Sequence, residues 1–323
     1  MRSMVRNHLV KKSLVLLLTA SALLTTACGA DTKAQASYKK AGIEKMADGR
    51  YEDAIREFNK ALNHSGTRIN AEVIDINYYK AAAQTLSGKD EAALKTYTSI
   101  IDAKKSADAY YLRGAAYLKQ KKVTKAVSDF KKSIAMDKTA YERYFRVYYS
   151  LVNADRSDQA DRFLDLVLDF SDKDGKALEA KGKVLEIRKD YTGAIRYYKK
   201  ALKKDLPEAR IDMARAYLEA GDSKSAESQI KAYQKSEKET AESLNAIGEL
   251  QMTEKKYSDA LKSFQKGLKL KDSSMKKTLL RNELIALEYS GDFTSAKKKC
   301  ESYVKAYPGD TDMAREYQFL ETR

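Results

Sequence analysis

Residues 107–138 read ADAYYLRGAAYLKQKKVTKAVSDFKKSIAMDK. Two apolar-periodic stretches flank a polar break at Gln120, Lys121 and Lys122. In the first stretch Gly114 lies between Tyr110 and Tyr117; in the second, Ala126 is followed one helical turn later by Phe130. This spacing predicts two helices and a short turn. The backbones can close to the roughly 8–10 Å of packed helices where Gly114 and Ala126 leave room, and the rings fill the space beside them.

The same pair recurs along the chain. Ala54/Phe58, Ala93/Tyr97, Ala126/Phe130, Ala160/Leu164, Ala194/Tyr198, Ala226/Ile230, Ala260/Phe264 and Ala296/Cys300 follow one another at spacings of 39, 33, 34, 34, 32, 34 and 36 residues. Twelve residues before most of these alanines stands another small residue: Gly42, Ala81, Gly114, Gly182, Ala214 or Gly248. Polar turns such as Asp48-Gly49, Ser87-Gly88, Gly221-Asp222 and Gly291-Asp292 separate the two markers. Glycine there suits a helix C-terminus, where the chain leaves in a left-handed conformation.

A unit of about 34 residues with these markers resembles the tetratricopeptide repeat (TPR). Tyr110, Gly114, Tyr117, Ala126 and Phe130 carry the likeness in the third unit. Leu244, Ile247, Gly248, Tyr257, Ala260 and Phe264 carry it in the seventh, and Tyr38, Gly42, Gly49, Tyr51, Ala54, Phe58 and Ala61 in the first. The resemblance implies an all-α, right-handed helical-hairpin solenoid of about eight repeats over residues 37–308, stable only as a stack of neighbours. Residues 309–323, with Met313, Tyr317 and Leu320 on one face, are expected to form a C-terminal capping helix. Departures are bulky Tyr148 and Leu284 at places otherwise small, and Cys300 at an aromatic place, where it is expected to be a small buried hydrophobe.

Composition agrees with a helical body. The 323 residues include only 2 Pro and 14 Gly, few for a loop-rich chain. Hydrophobic residues at 43% exclude a disordered chain, and charged residues at 33% exclude a polytopic membrane protein. Two Cys exclude a disulfide-dense scaffold.

The N-terminus reads as a targeting segment. Arg2, Arg6, Lys11 and Lys12 precede an apolar run from Ser13 to Leu24, followed by Thr25-Thr26-Ala27-Cys28. A small residue and then Cys after such a run resembles the lipobox of bacterial lipoproteins, although Thr25 stands where that family has Leu. The resemblance implies cleavage of residues 1–27, acylation (palmitate-type) of Cys28, and attachment to the extracytoplasmic face of a bacterial cell membrane. An ordinary signal peptide with a chance Cys is the other reading. Residues 28–36 are then the lipidated Cys and a tether whose residues 29–36 reach at most about 30 Å, at ~3.5 Å each. Without residues 1–27 the net charge falls from +15 to +11. That excess draws the body toward anionic surfaces, while no nucleic-acid-binding signature appears and nucleic acid is not an expected partner.

Catalytic, metal and cofactor signals are absent from the sequence, so no catalytic residue, metal or cofactor is expected. His64 beside Ser65-Gly66 reads as an exposed loop residue. Asp172/Asp174 and Asp310/Asp312 read as helix N-caps and favourable dipole charges. Lys131-Lys132 and Lys199-Lys200 share one repeat place and read as a solvated helix face. The TPR resemblance implies a concave groove lined by the first helix of each repeat, where partner segments bind. At its fifth place, repeats two, three and four hold Tyr78, Tyr111 and Phe145, with Arg146 and Tyr149 adjacent. These five are the candidate partner groove; packing as core between repeats is the competing reading, since a helical aromatic stripe is usually core. Of the residues some TPR domains use to clamp a terminal carboxylate, only Lys39 matches, with Ile43 and Tyr79 at the other places. The function expected is a membrane-anchored, non-enzymatic scaffold binding a protein or peptide segment in the cell envelope. Binding of an anionic wall polymer or lipid is the alternative, and an enzyme is the remaining class.

Overall fold

The computed structural model describes residues 30–65, 69–270 and 274–322, and every regular element among them is an α-helix. The targeting segment and Cys28 lie outside the described residues. Two compact units result, residues up to 164 with 307–310, and residues 165–306 with 311–323.

Unit 1 contains α1 (Ala30–Ala47), α2 (Tyr51–Asn63), α3 (Ala71–Leu86), α4 (Asp90–Ala103), α5 (Ala107–Lys119), α6 (Val123–Met136), α7 (Tyr141–Asn153) and the first part of α8 (Ser157–Leu168). Odd-numbered helices up to α15 are the first (A) helices of successive hairpins; even-numbered ones are the second (B) helices. The small/aromatic pairing is what seats each hairpin. A Cβ on Gly42 would overlap the Phe58 ring, and one on Gly114 would lie 2.7 Å from Phe130 Cε1. Phe58 and Phe130 are fully enclosed. Phe58 also packs with Ile76 and Ala83 of the next A helix. A ring therefore serves its own hairpin and the next, which is nearest-neighbour stability at the level of one side chain. Truncating such a ring to Ala costs on the order of 3–5 kcal/mol.

Residues 30–36, expected as extended tether, are helical and continue into the first repeat helix. The stretch Ala30-Asp31-Thr32-Lys33-Ala34-Gln35-Ala36 holds no helix breaker and places Asp31 in the first turn. At about 1.5 Å per residue a helix reaches less than half as far as an extended chain.

Unit 2 contains the end of α8 with α9 (Gly175–Ile187), α10 (Tyr191–Leu202), α11 (Ala209–Glu219), α12 (Ser223–Ser236), α13 (Ala241–Thr253), α14 (Tyr257–Leu268), α15 (Lys276–Tyr289), α16 (Phe293–Ala306) and α17 (Thr311–Glu321). Gly182 against Tyr198 and Gly248 against Phe264 repeat the contact seen in unit 1. Cys300 is fully buried with its Sγ 3.6 Å from the Met313 carbonyl oxygen. Met313 and Leu320 of α17 are buried, so the final helix lays its apolar face down within this unit.

Turn chemistry is uniform where residue identity is not. Gly49 (φ 73°) donates to Met46 O and Arg50 N donates to Lys45 O at 2.9 Å, the Schellman pair of bonds. Lys121 (φ 59°), Asp155 (φ 58°), Lys189 (φ 65°) and Lys255 (φ 61°) take the same left-handed conformation where hairpins one, two, six and eight have glycine. N-caps come from Asn70, Ser106, Asp174 and Thr240, whose side chains accept backbone N–H bonds from the first turns of α3, α5, α9 and α13. Asp174 thus acts as expected. Asp172 instead pairs with Lys181 Nζ at 2.7 Å and Lys200 Nζ at 3.1 Å. His64 is not a free loop residue either: its ring stacks on Tyr38 at 5.4 Å, and Nδ1 lies 3.4 Å from Asp31 Oδ1.

Candidate functional site

The five residues read as a groove ladder fall into three environments within unit 1. Tyr78 on α3 is half-buried, and its hydroxyl donates to Ser106 Oγ at 2.9 Å. Ser106 is the N-cap of α5, so Tyr78 ties one A helix to the start of the next. Burial raises the Tyr78 pKa, against the pull of that hydrogen bond. Tyr111 on α5 is only 4% exposed: its ring centroid is 5.7 Å from that of Phe130, and its hydroxyl lies 2.9 Å from Ser150 Oγ on α7. Phe145 is 5% exposed. Tyr111 is therefore core between α5 and α7, and Phe145 is buried as well; neither is a face offered to a partner. From the fifth place Tyr78 and Tyr111 reach the next A helix, at the Ser106 N-cap and at Ser150.

Arg146 and Tyr149, one turn apart on α7, are different. Arg146 lays its guanidinium carbon 4.0 Å from the Tyr111 ring centroid, a close cation–π contact. Its Nε and Nη2, the side-on fork that suits a carboxylate, are enclosed and have no hydrogen-bond acceptor. Tyr149 is 38% exposed, and its ring meets that of Tyr148 edge to face at 5.2 Å. Of the five, Tyr149 presents interface-type chemistry at the A-helix surface, with the half-buried Arg146 one turn away.

Three other cations of unit 1 are committed. Lys39 lies 3.0 Å from Glu72 Oε1 and 2.5 Å from Asp75 Oδ2, so it does not form a free clamp position. Burial opposes its charge, but the hydrogen bonds to Asp75 and Glu72 prevail and raise its pKa. Arg113 holds Asp129 through two bonds, Nε to Oδ2 at 2.7 Å and Nη2 to Oδ1 at 3.0 Å, with the carboxylate side chain 3% exposed. Lys132 is not simply solvated: its Nζ is 3.8 Å from the same Asp129.

Unit 2 holds a constellation that the sequence reading missed. Glu179, Lys183 and Glu186 on α9 face Asp212 and Arg215 on α11. Lys183 Nζ lies 3.1 Å from Glu179 and 3.7 Å from Asp212, and Arg215 lies 2.8 Å from Asp212 and 3.9 Å from Glu186. Tyr198 donates to Glu186 at 2.8 Å. Burial, helped by a hydrogen bond with Asp212, pushes the Glu179 carboxyl up. Asp212 moves down, because Lys183 and Arg215 together outweigh its own burial. Further along, Asn282 Nδ2 donates to Asn245 Oδ1 at 2.8 Å and to Glu249 at 3.2 Å. A signal existed: Glu179 and Asn245 occupy the fifth place of repeats five and seven, where repeats two to four hold rings. Among the described residues, no group of three or more His, Cys, Asp or Glu side chains is placed to hold a metal ion. No helix there is long and apolar enough to cross a membrane.

Tetratricopeptide repeat models match residues 107–139, 187–250 and 241–274. DnaJ homolog subfamily C member 3 of Bos taurus is 27% identical over 296 residues, 87% of this chain and 54% of that protein. Its Homo sapiens counterpart is 27% identical over 295 residues, 87% of this chain and 53% of that protein. The chain thus spans about half the length of the curated relatives it matches. A tetratricopeptide repeat protein structure from Parabacteroides merdae superposes with TM-score 0.45 at 15% identity, covering 79% of this chain and 99% of that one. The structure of MamA gives 0.34 at 20% identity, covering 51% and 94%. The hairpins at 107–139 and 187–274 are tetratricopeptide repeats, and the fold of this chain is the all-α TPR helical hairpin.

Proposed function

We propose that the chain is a non-catalytic adaptor that holds a protein or peptide segment on the A-helix surface around Arg146 and Tyr149. It works from the extracytoplasmic face of a bacterial membrane, to which acyl chains on Cys28 anchor it. The observation that carries the binding role is the pairing of an exposed Tyr149 with Arg146, which is stacked on Tyr111 and has an unfilled fork. Tyr and Arg dominate binding energy at protein interfaces because they bury much area at low entropic cost. Anchoring rests on the position of Cys28 after the apolar run; two acyl chains hold stably where one is marginal.

One cell-envelope experiment tests both parts. Wild type, Cys28→Ser and Tyr149→Ala/Arg146→Gln are labelled with a fatty acid and cross-linked in intact cells. Wild type should carry label and a cross-linked partner, Cys28→Ser should lose the label, and the double variant should keep label and helicity while losing the partner. Equal labelling of wild type and Cys28→Ser removes the anchor; a folded double variant that keeps every partner removes the A-helix site.

A further inference from the structure

In unit 2 an open cleft of about 660 Å³ lies between α10 and α11, lined by Thr192, Ile195, Arg196, Lys199, Lys200, Lys203 and Tyr217. Its cations follow the helical spacing 196, 199/200, 203 and so share one face. All four are exposed. Lys200 is partly neutralised by Asp172 at 3.1 Å. Arg196, Lys199 and Lys203 have no ion-pair partner among the described residues.

Two causes could place cations there. The C-terminal end of α10 carries the partial negative charge of a helix dipole, and Lys199 and Lys200 lie in its last turn. That dipole is equivalent to about half an elementary charge. Three unpaired full charges exceed it several-fold, so the dipole explains one lysine and leaves a surplus. The surplus gathers over an apolar and hydroxylic floor of Ile195, Tyr217 and Thr192, not on a flat surface. Lysines act as point charges toward phosphate, and Arg adds a two-pronged donor. The floor accepts carbon and hydroxyl groups beside the charge.

We infer that this cleft is a binding site for phosphate esters, on a surface separate from the one that receives the protein segment. The chemistry is the same whether the phosphate belongs to a lipid headgroup or is free in solution. The inference does not depend on the reading of Arg146 and Tyr149.

The test uses the full chain, Arg196→Gln/Lys199→Gln/Lys203→Gln, and a control of equal charge, Lys224→Gln/Lys235→Gln/Lys269→Gln, which removes three exposed lysines elsewhere in unit 2. Each is titrated with inorganic tripolyphosphate by calorimetry and with phosphatidylglycerol and phosphatidylcholine vesicles by flotation. All three proteins keep residues 1–30, so any vesicle affinity of that segment cancels. The cleft variant should lose at least tenfold in affinity for tripolyphosphate, for phosphatidylglycerol, or for both, while the control loses less than about twofold. Loss for vesicles alone identifies a lipid source; loss for tripolyphosphate alone identifies a free one. Equal losses in cleft variant and control, or no phosphate-dependent binding by the parent chain, overturn the inference. Should the triple variant lose helicity, Arg196→Gln alone must show the same direction of effect for the inference to stand.

Discussion

The fifth place of the A helix is filled in opposite ways by repeats two to four of unit 1 and repeats five and seven of unit 2. Repeats two to four hold Tyr78, Tyr111 and Phe145 there, and two of these are closed into the core, while repeat one holds Lys39, paired with Glu72 and Asp75. In unit 2 repeats five and seven give it Glu179 and Asn245, which enter networks of ion pairs and amide bonds. One hairpin geometry therefore accepts either a ring or a polar network at the joint between neighbours. A ring contributes by leaving water, whatever lies opposite. A charged group contributes only while its partners stay in place, because an unpaired buried charge costs more than the pair gains.

The strongest test of this contrast is to empty the ring joint. Tyr111→Ala/Phe145→Ala should lower stability by on the order of 3–5 kcal/mol per ring, read as a large fall in the denaturant midpoint of the helical CD signal. A variant that stays within about 0.5 kcal/mol, the usual scatter for exposed sites, would place these rings outside the core. A smaller effect separates two carboxylates. Asp129→Ala leaves Arg113 without its two-point partner and should cost about 3–5 kcal/mol. Asp212→Ala should cost clearly less, since Glu179 remains 3.1 Å from Lys183 and Glu186 remains 3.9 Å from Arg215. Equal costs at the two sites would show that the unit 2 network does not share its charges.

The smallest effect is a pH slope. Burial pushes Glu288 to about 7, with Glu316 adding to it, and burial also raises Glu186 and Glu179. A carboxyl raised in the folded state holds its proton longer than in the unfolded chain. Its contribution is complete below the ordinary glutamate range near 4.5 and is lost as pH rises through about 7. Asp137 in unit 1 is shifted the other way by hydrogen bonds from Thr139, and its contribution is lost on acidification. Unfolding followed from pH 4.5 to 7.5 should show stability falling with pH, and Glu179→Gln/Glu288→Gln should flatten the fall. An unchanged slope in that variant would assign the pH dependence to other groups.

The hairpins were legible because their signal is steric and local. Gly42 with Phe58, or Gly248 with Phe264, is a small-and-large pair at fixed separation that few other arrangements require. Turns at Lys121, Lys189 and Lys255 carried no such mark, since their left-handed backbone is imposed by the helices on either side rather than by the residue. The surface site was only partly legible. Helical spacing identifies a face but not what covers it, so Tyr111 and Tyr149 looked alike although one lies under α7 and the other points outward. Charge networks were less visible still: Glu179 and Asp212 are 33 residues apart, and each alone reads as an exposed helix residue.

The lysine turns have a consequence for how the chain opens. A non-glycine residue in the left-handed region carries roughly 1–2 kcal/mol that glycine does not. Hairpins three, four, five and seven hold that strain at Lys121, Asp155, Lys189 and Lys255, while hairpins one, two, six and eight close on Gly49, Gly88, Gly221 and Gly291. Fluctuation is therefore not spread evenly along the molecule. Fraying is cheapest at the successive turns of hairpins three to five and again at hairpin seven, each set by one residue. Backbone breathing in one hairpin can drift in evolution by exchanging lysine for glycine at a single codon, leaving the chemistry of its neighbours as it was.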